Sequence, residues 1–263
     1  MPNRYTEQAL RQSRSFGVRR IPLLRPLGWL ARGWGDLMQC PVPGLVHGLA
    51  MALFGGALFW WAGQQFWWLA GALSGFLLVA PVLATGLYAV SRALERGERA
   101  SLATAMQAWH PKDHRMIAFG LLLALAGTGW VLTSAALITT ALPGQVGQPV
   151  DFIRLVVLAD DGALFVAWLA LGALLAAPVF ASSVMAMPLL MDQRIGVLGA
   201  VFTSWRAVLT HPGPLALWAL LVLTLTALGM ATMMLGLVVV VPWLAHSSWH
   251  AYRDLVRSVG DLG

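Results

Sequence analysis

Four long stretches of this chain carry no Asp, Glu, Lys or Arg: residues 37–91, 116–150, 162–191 and 207–252. An apolar helix needs about 20 residues to cross the hydrocarbon core of a bilayer. Each tract is therefore long enough for one crossing, and the first and last are long enough for two. In hydrocarbon, every backbone N–H and C=O must be paired within the protein, which leaves only helices and closed barrels. A barrel would show short segments of alternating polarity, whereas these tracts are uniformly apolar. With 59% hydrophobic and only 11% charged residues, a chain of 263 residues has too little interior to hide that surface from water. The expected fold is an all-α integral membrane protein.

Charge sets the number of crossings. Spans are expected at about 44–62, 67–91, 117–141, 163–187, 214–228 and 230–249, the last two forming a tight hairpin. With six spans and cytoplasmic termini, Arg154 alone among the 17 Lys and Arg residues would lie outside. A single long final span would move Arg253 and Arg257 outside as well, against the positive-inside bias. The chain is expected in a bacterial inner membrane, as a single transmembrane domain over 26–256. A basic cytoplasmic tail (1–25) precedes it and a short cytoplasmic tail (257–263) follows. The start, MPNRYTEQALRQSRSFGVRRIPLL, has no apolar core after its basic residues, so it reads as a loosely ordered tail rather than a secretory signal. The net charge of +6 sits beside the spans, where anionic lipid accounts for it, and nucleic-acid binding is not expected. Cys40 is the only cysteine, which excludes a disulfide framework and a cysteine metal cluster.

The spans repeat. VVVVPWLAHSSWHAYRDLV (238–256) aligns with LLVAPVLATGLYAVSRAL (77–94), setting Pro81 against Pro242 and Arg92 against Arg253. LLAAPVFASSVMAMPLL (174–190) sets Pro178 at the same place. Ahead of the spans, the stretch from Trp205 to Pro212 and Pro214 aligns with that from Trp34 to Pro41 and Pro43. Apolar stripes predict short interfacial helices before each hairpin: one from Pro26, one from Gly196, and a looser one capped by Ser101 and carrying Trp109. The expectation is six helices as three pseudo-repeated hairpins, each preceded by an interfacial amphipathic helix. Pro81, Pro178 and Pro242 are expected to kink their helices. Trp34, Trp109, Trp205, Trp249, Arg92 and Arg253 are expected to anchor the fold at the membrane boundary.

Candidates for chemistry are few. His246, His250 and Asp254 are four apart and so share one helical face, the spacing at which two imidazoles and a carboxylate can ligate a metal. His47, at similar depth, is a possible partner of His246 in haem ligation. The competing reading is that His250 and Arg253 simply anchor the helix or bond a freed carbonyl. No ionisable residue lies in the middle of any expected span, which argues against an ion-coupled carrier. No nucleophile elbow, phosphate-binding glycine loop or HExxH motif is present.

The segments GWLARGWGDLMQCPVPGL, APVLATGLYAVSRALERGE, MPLLMDQ and PWLAHSSWHAYRDLV resemble a bacterial family of predicted integral membrane proteins classed as a domain of unknown function, over about 18–256. The resemblance implies an inner-membrane protein with no assigned reaction. Together these readings point to a non-catalytic accessory, scaffold or assembly protein with no catalytic residue and no cofactor. Its expected partners are membrane lipids and either another membrane protein or a second copy. The alternatives are a small-solute transporter or channel, and a haem- or metal-binding protein using His47, His246 and His250.

Overall fold

The structure, a computed structural model, describes residues 4–108 and 114–258, with the backbone alone for 77–81 and 258. Its elements in chain order are α1 (Arg4–Arg14), β1 (Phe16–Val18), α2 (Arg25–Gln39), α3 (Pro41–Ala62), α4 (Phe66–Leu83), α5 (Thr85–Glu95) and α6 (Leu102–Gln107). They continue with α7 (His114–Ala141), α8 (Pro149–Phe152) running into a π-helical turn (Ile153–Val157), and α9 (Ala163–Ser183). The chain ends with α10 (Ala186–Asp192), α11 (Val197–Thr210), α12 (Pro212–Ala231), α13 (Leu237–Leu255) and β2 (Val256–Ser258). Contacts divide these elements into two units, one of Met1–Ala52, Pro81–Phe119 and Phe180–Gly263, the other of Leu53–Ala80 and Gly120–Val179.

Among the described residues four helices are long and apolar enough to cross a membrane: Pro41–Ala62, His114–Ala141, Ala163–Asp192 (taking α9 and α10 together) and Pro212–Ala231. The two other expected crossings, α4 and α13, do not meet that measure. The described apolar run of α4 is Phe66–Phe76. The last half of α13 carries His246, Ser247, Ser248, His250, Arg253 and Asp254.

Proline places the helix starts. Pro41 opens α3 and Pro212 opens α12. A residue before proline is pushed out of the helical region, and Cys40 (φ −139, ψ 73) and His211 (φ −132, ψ 59) adopt nearly the same non-helical conformation. The amides of these two residues still reach back to Asp36 O and Ala207 O. Pro178 and Pro242 lie inside α9 and α13, each of which continues through its proline. Pro81 falls in α4, where its side chain is outside the described residues.

The expected spans 67–91 and 163–187 are each interrupted, and not at their prolines. The first breaks at Ala84, where Thr85 Oγ1 donates to Val82 O (2.7 Å) and Leu87 N takes the nearer carbonyl of Ala84 (2.9 Å). The second breaks at Val184 and Met185, where the Met185 amide leaves the helical ladder and donates to Ser204 Oγ of α11 (3.1 Å). A hydroxyl takes a backbone group at each break, locally at the first and from the neighbouring α11 at the second.

In the first unit, α13 packs along α2, and α5, α10 and α12 pack against α13. The backbones of α2 and α13 come so close at Gly33 that a Cβ there would lie 2.5 Å from Ser247 N. Trp29, fully buried, meets Trp218 edge-on at 5.6 Å, an arrangement that adds about 0.5–1.5 kcal/mol to the burial itself. Trp34 packs on Trp243, whose Nε1 donates to Leu30 O (2.8 Å).

The N-terminal segment departs from the expected loose tail. Helix α1 packs on α11, with Ala9 and Ser13 buried. Gln12 Oε1 accepts from Gly196 N (3.2 Å), and Arg206 donates to Ser13 O (2.6 Å) and Phe16 O (3.2 Å). β1 then pairs antiparallel with β2, Gly17 opposite Arg257, so the N-terminal segment meets the C-terminal end of α13. The ordering comes from Arg206, whose guanidinium satisfies carbonyls that would otherwise need water. The expected cap at Ser101 is present: Ser101 Oγ accepts from Thr104 N while Thr104 Oγ1 accepts from Ser101 N.

In the second unit the segment between α7 and α9 is structured. Asp151 accepts from Gly147 N (3.1 Å) and Gln148 N (2.8 Å), closing the start of α8. Val146 and Val156 are buried with Ile138 against Phe66, Phe152 and Trp168. The apolar side chains of the turn supply enough burial to fix it.

Candidate functional site

The polar end of α13 is where the ionisable residues of the first unit gather. One helical turn separates His246 from His250, and α2 and α5 supply the groups that meet them. Ser91 Oγ lies 2.6 Å from Asp36 Oδ2 and 2.7 Å from His246 Nδ1, and His250 Nε2 lies 2.9 Å from the same Asp36 oxygen. A carboxylate only accepts, so Ser91 spends its one hydrogen on Asp36. The His246 contact must then run the other way, from Nδ1–H to Ser91 Oγ. This fixes the tautomer: a neutral His246 carries its lone pair on Nε2, which is enclosed and has no hydrogen-bond partner among the described residues. His47, also buried, has its Nδ1 2.7 Å from Pro43 O. A carbonyl only accepts, so His47 too is protonated at Nδ1.

Asp254 is held apart from the histidines. It accepts from Arg25 Nε (2.6 Å), Arg32 Nη2 (2.6 Å) and the buried Trp29 Nε1 (2.8 Å), all from α2. Burial by itself would raise its pKa, but hydrogen bonds from Arg25, Arg32 and Trp29 outweigh burial and hold the carboxyl at about 2. The same contact raises the pKa of Arg25.

A third group of ion pairs ties α13 to α5 and α10. Arg253 Nε meets Glu95 Oε1 at 3.0 Å, and Trp249 Nε1 donates to Glu95 Oε2 at 3.1 Å. Tyr252 OH donates to Asp192 Oδ2 (2.8 Å), and Arg92 approaches Asp192 Oδ1 at 3.7 Å. Burial first, then Asp192, keeps the Tyr252 phenol protonated well above its ordinary range.

The expected metal stripe is therefore divided. His246 faces Ser91, His250 faces Asp36, and Asp254 is occupied by two guanidinium groups. Among the described residues no group of three or more His, Cys, Asp or Glu is placed to hold a metal. Of the expected boundary anchors, Trp249 is fully buried and bonded to Glu95, so its ring is not available to headgroups. Trp205 donates to Ser182 Oγ (2.9 Å), Trp34 is partly exposed, and Arg92 and Arg253 are engaged by carboxylates. Trp109 lies outside the described residues.

Sequence reasoning gave Asp254 a place only in the metal stripe and assigned Asp36, Glu95, Asp192, Ser91, Arg25, Arg32 and Trp29 no role. A signal for part of this existed. Arg92 and Arg253 stand at the same offset from Pro81 and Pro242, and Glu95 and Asp192 at the same offset from Pro81 and Pro178. Two of the three proline segments therefore carry an arginine at the first offset, and two carry an acid at the second.

Helix content, apolar tracts and the buried ionic end together define a predominantly helical integral membrane protein. Residues 69–192, from α4 to α10, match the family model described as "Predicted integral membrane protein (DUF2189)", a domain of unknown function, in agreement with the resemblance drawn from sequence. No curated protein and no solved structure matches the chain. The matched residues include Ser91, Arg92, Glu95 and Asp192 and leave out α2 and α13.

Proposed function

We propose that the protein is a six-span component of a bacterial inner membrane with both termini cytoplasmic, acting as a non-catalytic accessory, scaffold or assembly protein. The crossings are α3, α4, α7, α9, α12 and α13, arranged as three repeated hairpins over 26–256. The β1–β2 pairing supports an even number of crossings, because it joins the N-terminal segment to the end of the last helix. The shared conformation of Cys40 and His211 before their prolines supports the repeat.

The observation that carries the function is internal saturation. Asp36, Glu95, Asp192 and Asp254 each accept from side chains of neighbouring helices in the same unit. Paired in this way, they lock helix ends together rather than turning a reactive group toward a substrate. The lateral apolar surface is left to lipid and to a membrane-embedded partner or a second copy.

Two measurements test this. Reconstituted into proteoliposomes, the protein is expected to move no small solute above the empty-vesicle rate. Photocrosslinkers at exposed Leu121 and Leu174 are expected to yield one discrete adduct in native membranes. Solute uptake that disappears in Asp36→Asn, or crosslinks to lipid alone at both positions, would reverse the assignment.

A further inference from the structure

The outward face of α2 is apolar along its whole length. Leu24, at its cap, is 64% exposed, and Leu27 (49%), Trp34 (41%) and Met38 (54%) follow within the helix. With exposed Ala31 among them they recur at steps of three and four, which draws one line down a single side of the helix. No charged residue interrupts that line. Leu30 and Leu37 are buried instead, inside the first unit. Apolar exposure continues past Pro41 into α3 at Val42, Leu45 and Leu49, and a continuous apolar surface of this length needs a cover.

The start of the same face is basic. Arg19 and Arg20 are exposed, and Leu23 and Leu24 just beyond them are exposed too. Arg25 and Arg32 share the one carboxylate of Asp254, so that cluster keeps a net positive charge. Between Glu7 and Asp36 the chain has no acidic residue. Positive charge at one end and bare hydrocarbon along the rest complements a phospholipid with an anionic head and apolar tails.

Depth agrees with charge. Helix α13 has 19 residues and is about 28 Å long, close to the thickness of the hydrocarbon core. Beside its second half runs α2, with Gly33 against Ser247 and Arg25 on Asp254. On the reading given above, in which α13 crosses the membrane and ends in the cytoplasm, α2 stands at the depth of the inner leaflet. Its first turn is then at headgroup level.

We propose that the outward face of α2 is a binding site for anionic phospholipid of the inner leaflet. Arg19, Arg20 and Arg25 take the headgroup, and the line from Leu27 to Met38 takes the acyl chains. The occupant is lipid because the face runs without a break into the apolar surface of α3, which a membrane span turns to the bilayer.

The test uses the full chain in vesicles, with Cys40→Ser as background and a bimane label on a single cysteine at Leu27 or, as a control on α13, at Val239. Brominated phosphatidylglycerol and brominated phosphatidylcholine are compared as quenchers. At Leu27, phosphatidylglycerol is expected to bind about tenfold more tightly than phosphatidylcholine, the scale set by a few surface arginines. At Val239 the two lipids are expected to quench alike. The double variant Arg19→Gln, Arg20→Gln is expected to lower the Leu27 preference about fivefold or more; it keeps the amide bond from residue 19 to Leu255 O (3.0 Å) and so the local fold. Raised salt is expected to weaken the preference in the wild type, where no arginine is changed. Quenching at Val239 without quenching at Leu27 would overturn the lipid site alone, and no quenching at either would overturn the crossing of α13 with it. Equal quenching by both lipids at Leu27, or a photocrosslinker at Met38 that captures a protein in native membranes, would also overturn the proposal.

Discussion

At the scale of single residues, Asp254 shows how geometry reverses an intrinsic tendency. A carboxyl as enclosed as this one should be hard to ionise, yet two guanidinium groups and an indole N–H drive its pKa below the ordinary 3.8, to about 2. A group whose folded pKa lies below its unfolded value contributes stability that is fully present above the unfolded value. That contribution is lost as the pH falls through the folded one. Thermal unfolding in detergent is therefore expected to weaken between about pH 4 and pH 2, and Asp254→Asn is expected to flatten that dependence. At neutral pH the same substitution is expected to lower stability by about 1–2 kcal/mol, a discounted figure because Arg25 and Arg32 remain partly in solvent. An unaltered pH profile in the variant would show that Asp254 is not the group responsible.

At the scale of elements, two contacts test how the helices are joined. The α2–α13 seam depends on Gly33, where an added methyl would overlap Ser247. Gly33→Ala is expected to cost about 1–3 kcal/mol, as overpacking of a tight contact does, and to lower the melting temperature. The α12–α13 hairpin is instead strained in its own backbone. Met233 (φ 52) and Met234 (φ 69) both adopt the left-handed region, and Met233 is largely exposed. A non-glycine residue there costs roughly 1 kcal/mol or more, so Met233→Gly is expected to raise the melting temperature slightly. A fall would mean that the exposed methionine contributes through a contact of its own.

At the scale of the whole molecule, topology is the decisive property. Reporters fused before Met1 and after Gly263 are both expected to be active only in the cytoplasm. A cysteine placed at Asp160 is expected to react with an impermeant reagent added from the outside. A periplasmically active reporter at one end alone would require an odd number of crossings and would contradict the close approach of β1 and β2.

The sequence by itself determined the class of protein and most helix positions. Charge-free tracts admit little besides apolar helices, and prolines such as Pro41 and Pro212 fix helix starts through purely local sterics. The cap at Ser101 was legible for the same reason, since its partners are three residues apart. What only the tertiary structure decided are pairings between residues far apart in the chain: Asp36 with Ser91 and His250, Asp254 with Arg25 and Arg32, and β1 with β2. Spacing set His246, His250 and Asp254 on one face of α13 but could not say which neighbouring helix each would meet. That depended on α2 approaching closely enough at Gly33 for its arginines to take Asp254 away from the histidines.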